Sequence, residues 1–382
     1  MKDENCEYVR DYYKVPAEIG RKITFKDKPG MQFSNLKVTD TDEFKKCKSS
    51  DYNFVFNKKN GCFARWGKDF NDDPTYGPSP EILDLEISTG KCGGKCRFCY
   101  KGNGEDINTY HMSLEEFKTI FHKLPNTLGQ IAYGICDIES NPDFFAMMKY
   151  AREHGVIPNY TCNGLDVTKE IAQKTAKLCG AVAVSLINKE KTYNAINLFV
   201  EAGMTQVNCH YVLSQETYDR AFNIIDDIAT DPRLKGFNAI VFLQYKHKNL
   251  NSPYHSILDV DKYTKLINYC NEKKINYGFD SCSCPMFLKS IKDDPNLKYL
   301  ETMAEPCESK LFSFYINCHG IGYPCSFAEG IEEGLNIFDC NDFIKDIWNH
   351  KISCEWRKTL LDNDRCCPIY DLDVVTNKVL KG

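Results

Sequence analysis

The stretch "ILDLEISTGKCGGKCRFCY", residues 82–100, joins a short apolar run to three closely spaced cysteines. The run over 82–88 predicts a buried strand, since it is short, apolar and followed by glycine. Cys92, Cys96 and Cys99 lie in the loop directly after it. In parallel α/β folds, ligands bind at the carboxyl ends of the strands. The stretch therefore predicts a ligand site just above the first strand of such a fold.

A regular alternation follows this stretch. Further apolar runs predict strands at 130–135, 156–162, 181–187, 206–213 and 237–245. Segments of helical period follow the successive strands, at 114–124, 142–155, 169–180, 193–203, 216–229 and 260–274. Consecutive parallel strands need such helical crossovers. Six units predict an α/β protein with a partial (β/α)6 TIM-like barrel, open on one side, and a doubly wound open sheet is the alternative.

Two regions flank the predicted barrel, which spans residues 81–281. Residues 1–80 form a small β-containing extension, in which "YNFVFNKKNGCFARWG" (52–67) predicts a hairpin. We expect this extension to be a possible substrate-docking module. Residues 282–382 are rich in cysteine, with a predicted hairpin at 312–327 and a predicted helix at 342–361.

The composition is that of a cytoplasmic protein. Of 382 residues, 42% are hydrophobic, and the net charge of -5 provides no overall attraction for nucleic acid or membranes. No apolar run approaches the roughly 18 residues of a spanning helix, and the first residues are too charged for a secretory signal. In such a setting, 20 cysteines indicate metal ligands, catalytic thiols or small core residues rather than disulfides.

The number of thiols in the first loop restricts what it binds. A structural zinc site has four protein ligands, and a catalytic one has histidine or carboxylate ligands. Three thiolates suit a four-iron cluster that leaves one iron free for another ligand. A disulfide with a spare thiol is the alternative.

The motif "CGGKCRFC", with an aromatic residue before its last cysteine, resembles the signature of the radical S-adenosylmethionine (radical SAM) enzymes. The resemblance covers residues 82–281 and implies a 4Fe-4S cluster on Cys92, Cys96 and Cys99. It also implies that SAM chelates the fourth iron and is cleaved reductively to a 5′-deoxyadenosyl radical, which abstracts a substrate hydrogen. An electron donor such as flavodoxin or ferredoxin is implied as a partner. Phe98 is then expected to shelter the cluster.

The resemblance also implies SAM-binding residues at the ends of strands two to five. "YGICDIE" (133–139) takes the place of the family's "GGE"-like stretch, which leaves the acidic partner open between Asp137 and Glu139. For each polar residue, the alternative is a structural role, either as a helix cap or as a hydrogen-bonded group in the core. The implied SAM-binding residues are Gly134, Cys136, Asp137, Glu139, Asn163, Ser185 and His210.

The second cysteine group begins with a C-x12-G-x4-C pattern, which is formed by Cys307, Gly320 and Cys325. It resembles the opening of the SPASM or twitch extensions, which hold auxiliary iron–sulfur clusters. The resemblance implies one auxiliary cluster on Cys307, Cys325, Cys366 and Cys367, with Cys354 as a substitute. A zinc site on the same cysteines is the alternative. Further substitute ligands are Cys282, Cys284, Cys318 and Cys340.

Cys282 and Cys284 follow the last predicted unit, and the resemblance implies that either thiol could act as hydrogen donor to a substrate radical, as in some peptide epimerases of the family. The resemblance favours a peptide- or protein-modifying oxidoreductase or maturase. One alternative is a radical SAM enzyme that acts on a small molecule, a sugar or a nucleotide. The other is a zinc-binding interaction protein without catalysis.

Overall fold

A computed structural model describes residues 31, 33–104, 108–248, 252–296, 300–301 and 305–370. Residues 1–30 and 371–382, which belong to the predicted N-terminal extension and C-terminal region, lie outside the described residues. Among the helices that are described, none has the length and apolar character needed to cross a bilayer.

The extension forms a four-stranded antiparallel sheet. Its strands are β1 (Lys37–Asp40), β2 (Phe44–Lys48), β3 (Asn53–Asn57) and β4 (Phe63–Trp66), in that spatial order. The predicted hairpin is β3–β4, and its turn contains Gly61, whose positive φ of 75° suits glycine. Buried aromatic residues of this sheet share an apolar cluster with Leu311, Phe312 and Leu360 of the C-terminal region.

A parallel sheet forms the centre of the molecule and contains all six predicted strands. It begins with β5 (Ile82–Glu86), after which a short ribbon pairs β6 (Ser88–Thr89) with β7 (Tyr110–His111). The other five predicted strands are β8 (Gln130–Gly134), β9 (Ile157–Cys162), β10 (Ala181–Ser185), β11 (Val207–Leu213) and β12 (Ala239–Gln244). Each pairs in parallel with the next.

The sheet is wider than the sequence predicts. β13 (Tyr277–Phe279) adds to β12, and β14 (Ser313–Ile316) adds to β5, both in parallel. β14 also forms the predicted hairpin with β15 (Ile321–Tyr323), and β16 (Leu335–Asn336) completes the order 13-12-11-10-9-8-5-14-15-16. β13 is too short to show a clear pattern, and the pairing of β14 with β5 joins segments far apart in sequence. The result is a mixed α/β fold with a large parallel sheet, consistent with a partial barrel.

Helices connect the parallel strands as predicted. The first of them begins at Ser113, which forms a capping box with Glu116. The predicted helix over 342–361 is instead divided into a π-helical turn at Phe343–Trp348 and a separate helix, because His350 is extended and caps the second part. The α-helices are α1 (Leu114–Phe121), α2 (Phe144–Glu153), α3 (Lys169–Leu178), α4 (Lys189–Glu201), α5 (Tyr218–Thr230), α6 (Val260–Lys273), α7 (Cys284–Ser290) and α8 (Lys351–Asp362).

The two faces of the parallel sheet differ in burial. Along β11, Val207, Cys209 and Tyr211 are buried in the main apolar core, whereas Asn208 and His210 are only half-buried. Alternate residues of a strand point to opposite faces. The sheet therefore presents one face to the core and leaves polar side chains on the other, next to the predicted site.

Candidate active site

The three-cysteine loop lies at the carboxyl end of β5, where the sequence places it. Gly94 sits between two of the thiols, since a Cβ atom there would lie 3.4 Å from Cys96 Sγ and 3.5 Å from Cys92 Sγ. The backbone turns back from Cys96 to Cys99, whose N–H donates to the Cys96 carbonyl at 2.9 Å. All three thiols are half-buried and free of disulfides. The loop thus holds two of its thiols on either side of a glycine and turns back to place the third after them.

Side chains from the next two strands hold this loop. The Asp137 carboxylate, just beyond β8, accepts the Gly93 N–H with its two oxygens at 2.9 and 3.1 Å. Asn163, just beyond β9, donates its amide to Asp137 at 2.6 Å and lies 3.8 Å from Cys92 Sγ. Glu139 is exposed. Of the two acids that the sequence leaves open, Asp137 is the one in contact with the loop.

The thiols of the loop differ in acidity. A hydrogen bond from the buried Cys136 thiol lowers the pKa of Cys92, whereas burial raises the pKa of Cys96 to about 12. Metals bind the deprotonated thiolate. Cys92 is therefore the easier of these two thiols to deprotonate before a metal binds.

The other predicted SAM-binding residues lie on the same edge or face of the sheet. The ring of Phe98 meets Tyr254 edge-on, with centroids 5.6 Å apart. Gly134 ends β8, and Ser185 and His210 are register partners on β10 and β11. Burial lowers the pKa of His210 to about 4, so this imidazole is neutral near pH 7.

An ionic network that the sequence analysis missed lies beside the loop. Lys101 forms ion pairs with Glu86, at 3.0 Å, and with Glu329. It also donates a hydrogen bond to the Tyr315 hydroxyl at 2.9 Å. It joins the end of β5 to the C-terminal hairpin. The only sequence signal is an acidic residue, Glu86, within an apolar strand, and its partners come from distant segments.

The second cysteine group brings together Cys282, Cys307, Cys325 and Cys367. Cys325 and Cys367 pack against one apolar cluster together with Phe327, and Lys246, which lies over that ring, donates to Cys282 Sγ. Burial raises the pKa of Cys282 and of Cys325, and the charges of Cys307 and Cys367 raise both further. Three members of this group are ligands that the sequence predicts, and that ligand set stays a prediction. Cys282, which the sequence offers as a substitute ligand or a hydrogen donor, is the fourth member of the group.

The other candidate ligands from the sequence analysis are Cys284, Cys318, Cys340, Cys354 and Cys366. Cys366 sits in the turn after α8, where its N–H donates to Asn363. Cys354 is exposed on α8, with its thiol 3.3 Å from Arg357. Cys284 and Cys340 are buried in the main apolar core, and the buried Cys318 backbone donates to Glu86. Across the described ranges, no three His, Cys, Asp or Glu side chains are arranged as ligands of a metal ion.

Aromatic and cationic side chains connect the two cysteine groups. Tyr100, next to Cys99, stacks on Phe327 with centroids 4.1 Å apart. Lys246 Nζ lies 3.4 Å from the centroid of the Phe327 ring and donates to Cys282 Sγ. The charges of Cys282 and Asp280 raise the pKa of Lys246, although burial alone lowers it, so this amine is protonated. The two thiol groups are thus joined by a continuous line of contacts.

The fold is similar to that of solved SAM-binding proteins. No protein-family model matches the sequence, and no curated protein sequence does. SuiB of Streptococcus suis bound to its precursor peptide SuiA is 13% identical with a TM-score of 0.65, over 88% of this chain and 95% of SuiB. SuiB bound to S-adenosylmethionine is 12% identical with a TM-score of 0.63, over 86% and 91%.

A second similar protein, anSMEcpe with bound S-adenosylmethionine, is 17% identical with a TM-score of 0.56, over 79% of this chain and 91% of that protein. A further structure of anSMEcpe holds both S-adenosylmethionine and the Cp18Cys peptide. At these identities the similarity is one of fold. The chain has the fold of these S-adenosylmethionine-binding proteins, as the resemblance of its cysteine motif leads one to expect.

Proposed function

We propose that the protein is a radical SAM enzyme that modifies a peptide or protein. The observation that carries this proposal is the position of the "CGGKCRFC" loop. Its three thiols lie at the carboxyl end of β5, beside the ends of β8 and β9, in a fold shared with SAM-binding proteins. We assign the parallel sheet and its helices to a partial barrel, and residues 282–382 to an auxiliary-cluster domain.

The first loop fits a 4Fe-4S cluster in its donor chemistry and in its shape. Cys92, Cys96 and Cys99 are three free thiols, one fewer than a closed tetrahedral site needs. Gly94 leaves open the space between two of them that a side chain would fill. When bound, the cluster supplies the electron that cleaves SAM. The chain's own contribution is to hold the loop through Asp137 and to leave one coordination position free.

We assign a second cluster to Cys282, Cys307, Cys325 and Cys367. Four thiols complete a cluster without an open position, which suits a role in electron transfer rather than SAM cleavage. Cys282 takes the place that the sequence analysis gave to Cys366, since Cys282 lies within the electrostatic reach of the other thiols. As a ligand, Cys282 is not a hydrogen donor.

A peptide substrate is favoured by the similar structures. SuiB was solved with the precursor peptide SuiA and anSMEcpe with the Cp18Cys peptide. The chain spans most of the length of both proteins. It therefore matches them beyond the central sheet, which supports a substrate of the same class.

The test is anaerobic purification followed by incubation with SAM and a strong reductant. We expect a brown protein with about eight irons per chain, two four-iron clusters, that releases 5′-deoxyadenosine. Deuterated candidate peptides are then expected to transfer deuterium into 5′-deoxyadenosine. A colourless protein that holds zinc and releases no 5′-deoxyadenosine would refute the enzyme. Transfer only from small molecules would refute the peptide substrate.

A further inference from the structure

Lys246 occupies an unusual position for a lysine. It lies two residues beyond the end of β12 and is 5% exposed. Its ammonium group donates to Cys282 Sγ and lies above the Phe327 ring. A buried lysine normally requires a negative partner to offset the loss of hydration. Here that partner is a thiol of the second cysteine group.

A metal-bound thiolate would satisfy this ammonium group. Cys282 and Cys367 both lie within its electrostatic reach, together with Asp280. Positive charge near a cluster stabilises the reduced form, which carries one more electron, and so do hydrogen bonds to the sulfurs. The buried surroundings strengthen both effects, because little water screens the charge.

We propose, on the basis of the function proposed above, that Lys246 is a positioning residue that raises the reduction potential of the second cluster. The Phe327 ring holds the ammonium group in place by a cation–π contact and shields it from water. Tyr100 in turn holds that ring by stacking.

The experiment isolates the second cluster in the full-length chain. The parent protein carries Cys92→Ala, Cys96→Ala and Cys99→Ala, and its iron content is measured after anaerobic reconstitution. A redox titration followed by electron paramagnetic resonance then gives the midpoint potential. For Lys246→Met, we expect the equilibrium constant of one-electron reduction to fall at least roughly tenfold, a shift of about 59 mV to lower potential.

Three further variants separate charge from packing. Lys246→Arg keeps the charge and a donor, so we expect its potential to stay close to that of the parent. Lys246→Gln is neutral, and it replaces the methionine variant if that variant fails to hold iron. Lys248→Met is the matched control, because Lys248 donates to the carbonyls of Ser326 and Glu329 rather than to a sulfur. We expect it to shift the potential less than Lys246→Met does.

The outcomes distinguish this inference from the proposed function. A parent protein that binds no iron would refute the second cluster and, with it, the basis of the inference. The role of Lys246 alone would be refuted by a different result. In that case the parent holds about four irons, and the neutral Lys246 variant that retains iron has the same potential as the parent. Equal shifts for Lys246→Met and Lys248→Met would also refute it, since the effect would then come from general charge.

Discussion

Removal of the Asp137 carboxylate is the perturbation expected to affect the cysteine loop most directly. In Asp137→Ala, the Gly93 N–H and the Asn163 amide lose a charged acceptor that lies 2.6–3.1 Å away. A hydrogen bond to a charged group contributes about 1.5–3 kcal/mol. Two such bonds, partly replaced by water, give a loss of about 3 kcal/mol. The ordered loop then becomes roughly a hundredfold less populated relative to open forms.

Two measurements follow this change. Hydrogen–deuterium exchange of the segment 91–100 is expected to speed up by a similar factor. The iron bound by the first loop is expected to fall towards the level of a protein without Cys92, Cys96 and Cys99. Asp137→Asn keeps one carbonyl oxygen and should lose about half of the free energy, with an intermediate effect on both.

Glu139→Ala is the matched control, since Glu139 is exposed and lies only two residues further along the chain. It is expected to leave exchange and iron content at the wild-type level. The reasoning is refuted if Asp137→Ala retains wild-type exchange and iron, or if Glu139→Ala has the larger effect.

Gly94→Ala puts a methyl group 3.4–3.5 Å from two thiol sulfurs and 3.2 Å from Ile187 Cδ1. We therefore expect the loss of about four irons with little change in melting temperature, and full iron content would contradict this. Cys282→Ala should lose the irons of the second cluster while Cys354→Ala, at an exposed thiol, keeps them; the reverse result would favour Cys354, the substitute ligand offered by the sequence, over Cys282. Burial raises the pKa of Glu81 from 4.5 to about 7, so the folded protein holds this proton more tightly than the unfolded chain. Stability relative to Glu81→Gln should therefore fall by roughly 2–3 kcal/mol from pH 5 to pH 8, and a pH-independent difference in denaturant unfolding would argue against it.

Local patterns in the sequence predict the central sheet well. Each of the six strands is a short apolar run between amphipathic segments, and the burial of alternate residues in β11 follows from strand geometry. The capping box at Ser113 and the hairpin β3–β4 are likewise local features. Such features depend on neighbours within a few residues, so one sequence is enough to predict them.

The parts that the sequence does not predict depend on distant contacts. β14 adds to β5 across more than 200 residues, which moves Tyr315 next to Glu86 and creates the ionic network around Lys101. Cys282 joins the second thiol group for the same reason, since its spacing from the other cysteines carries no recognisable motif. Cys92, Cys96 and Cys99, by contrast, lie within one loop, so their spacing is enough to predict that they form one site.

Iron content and SAM cleavage, measured together on two proteins, test the central claim most directly. The wild-type protein, purified without oxygen and given SAM and a reductant, is predicted to hold about eight irons and to release 5′-deoxyadenosine. The variant without Cys92, Cys96 and Cys99 is predicted to keep about four irons and to release none. Release of 5′-deoxyadenosine by that variant, or a wild-type protein without iron, would contradict the account.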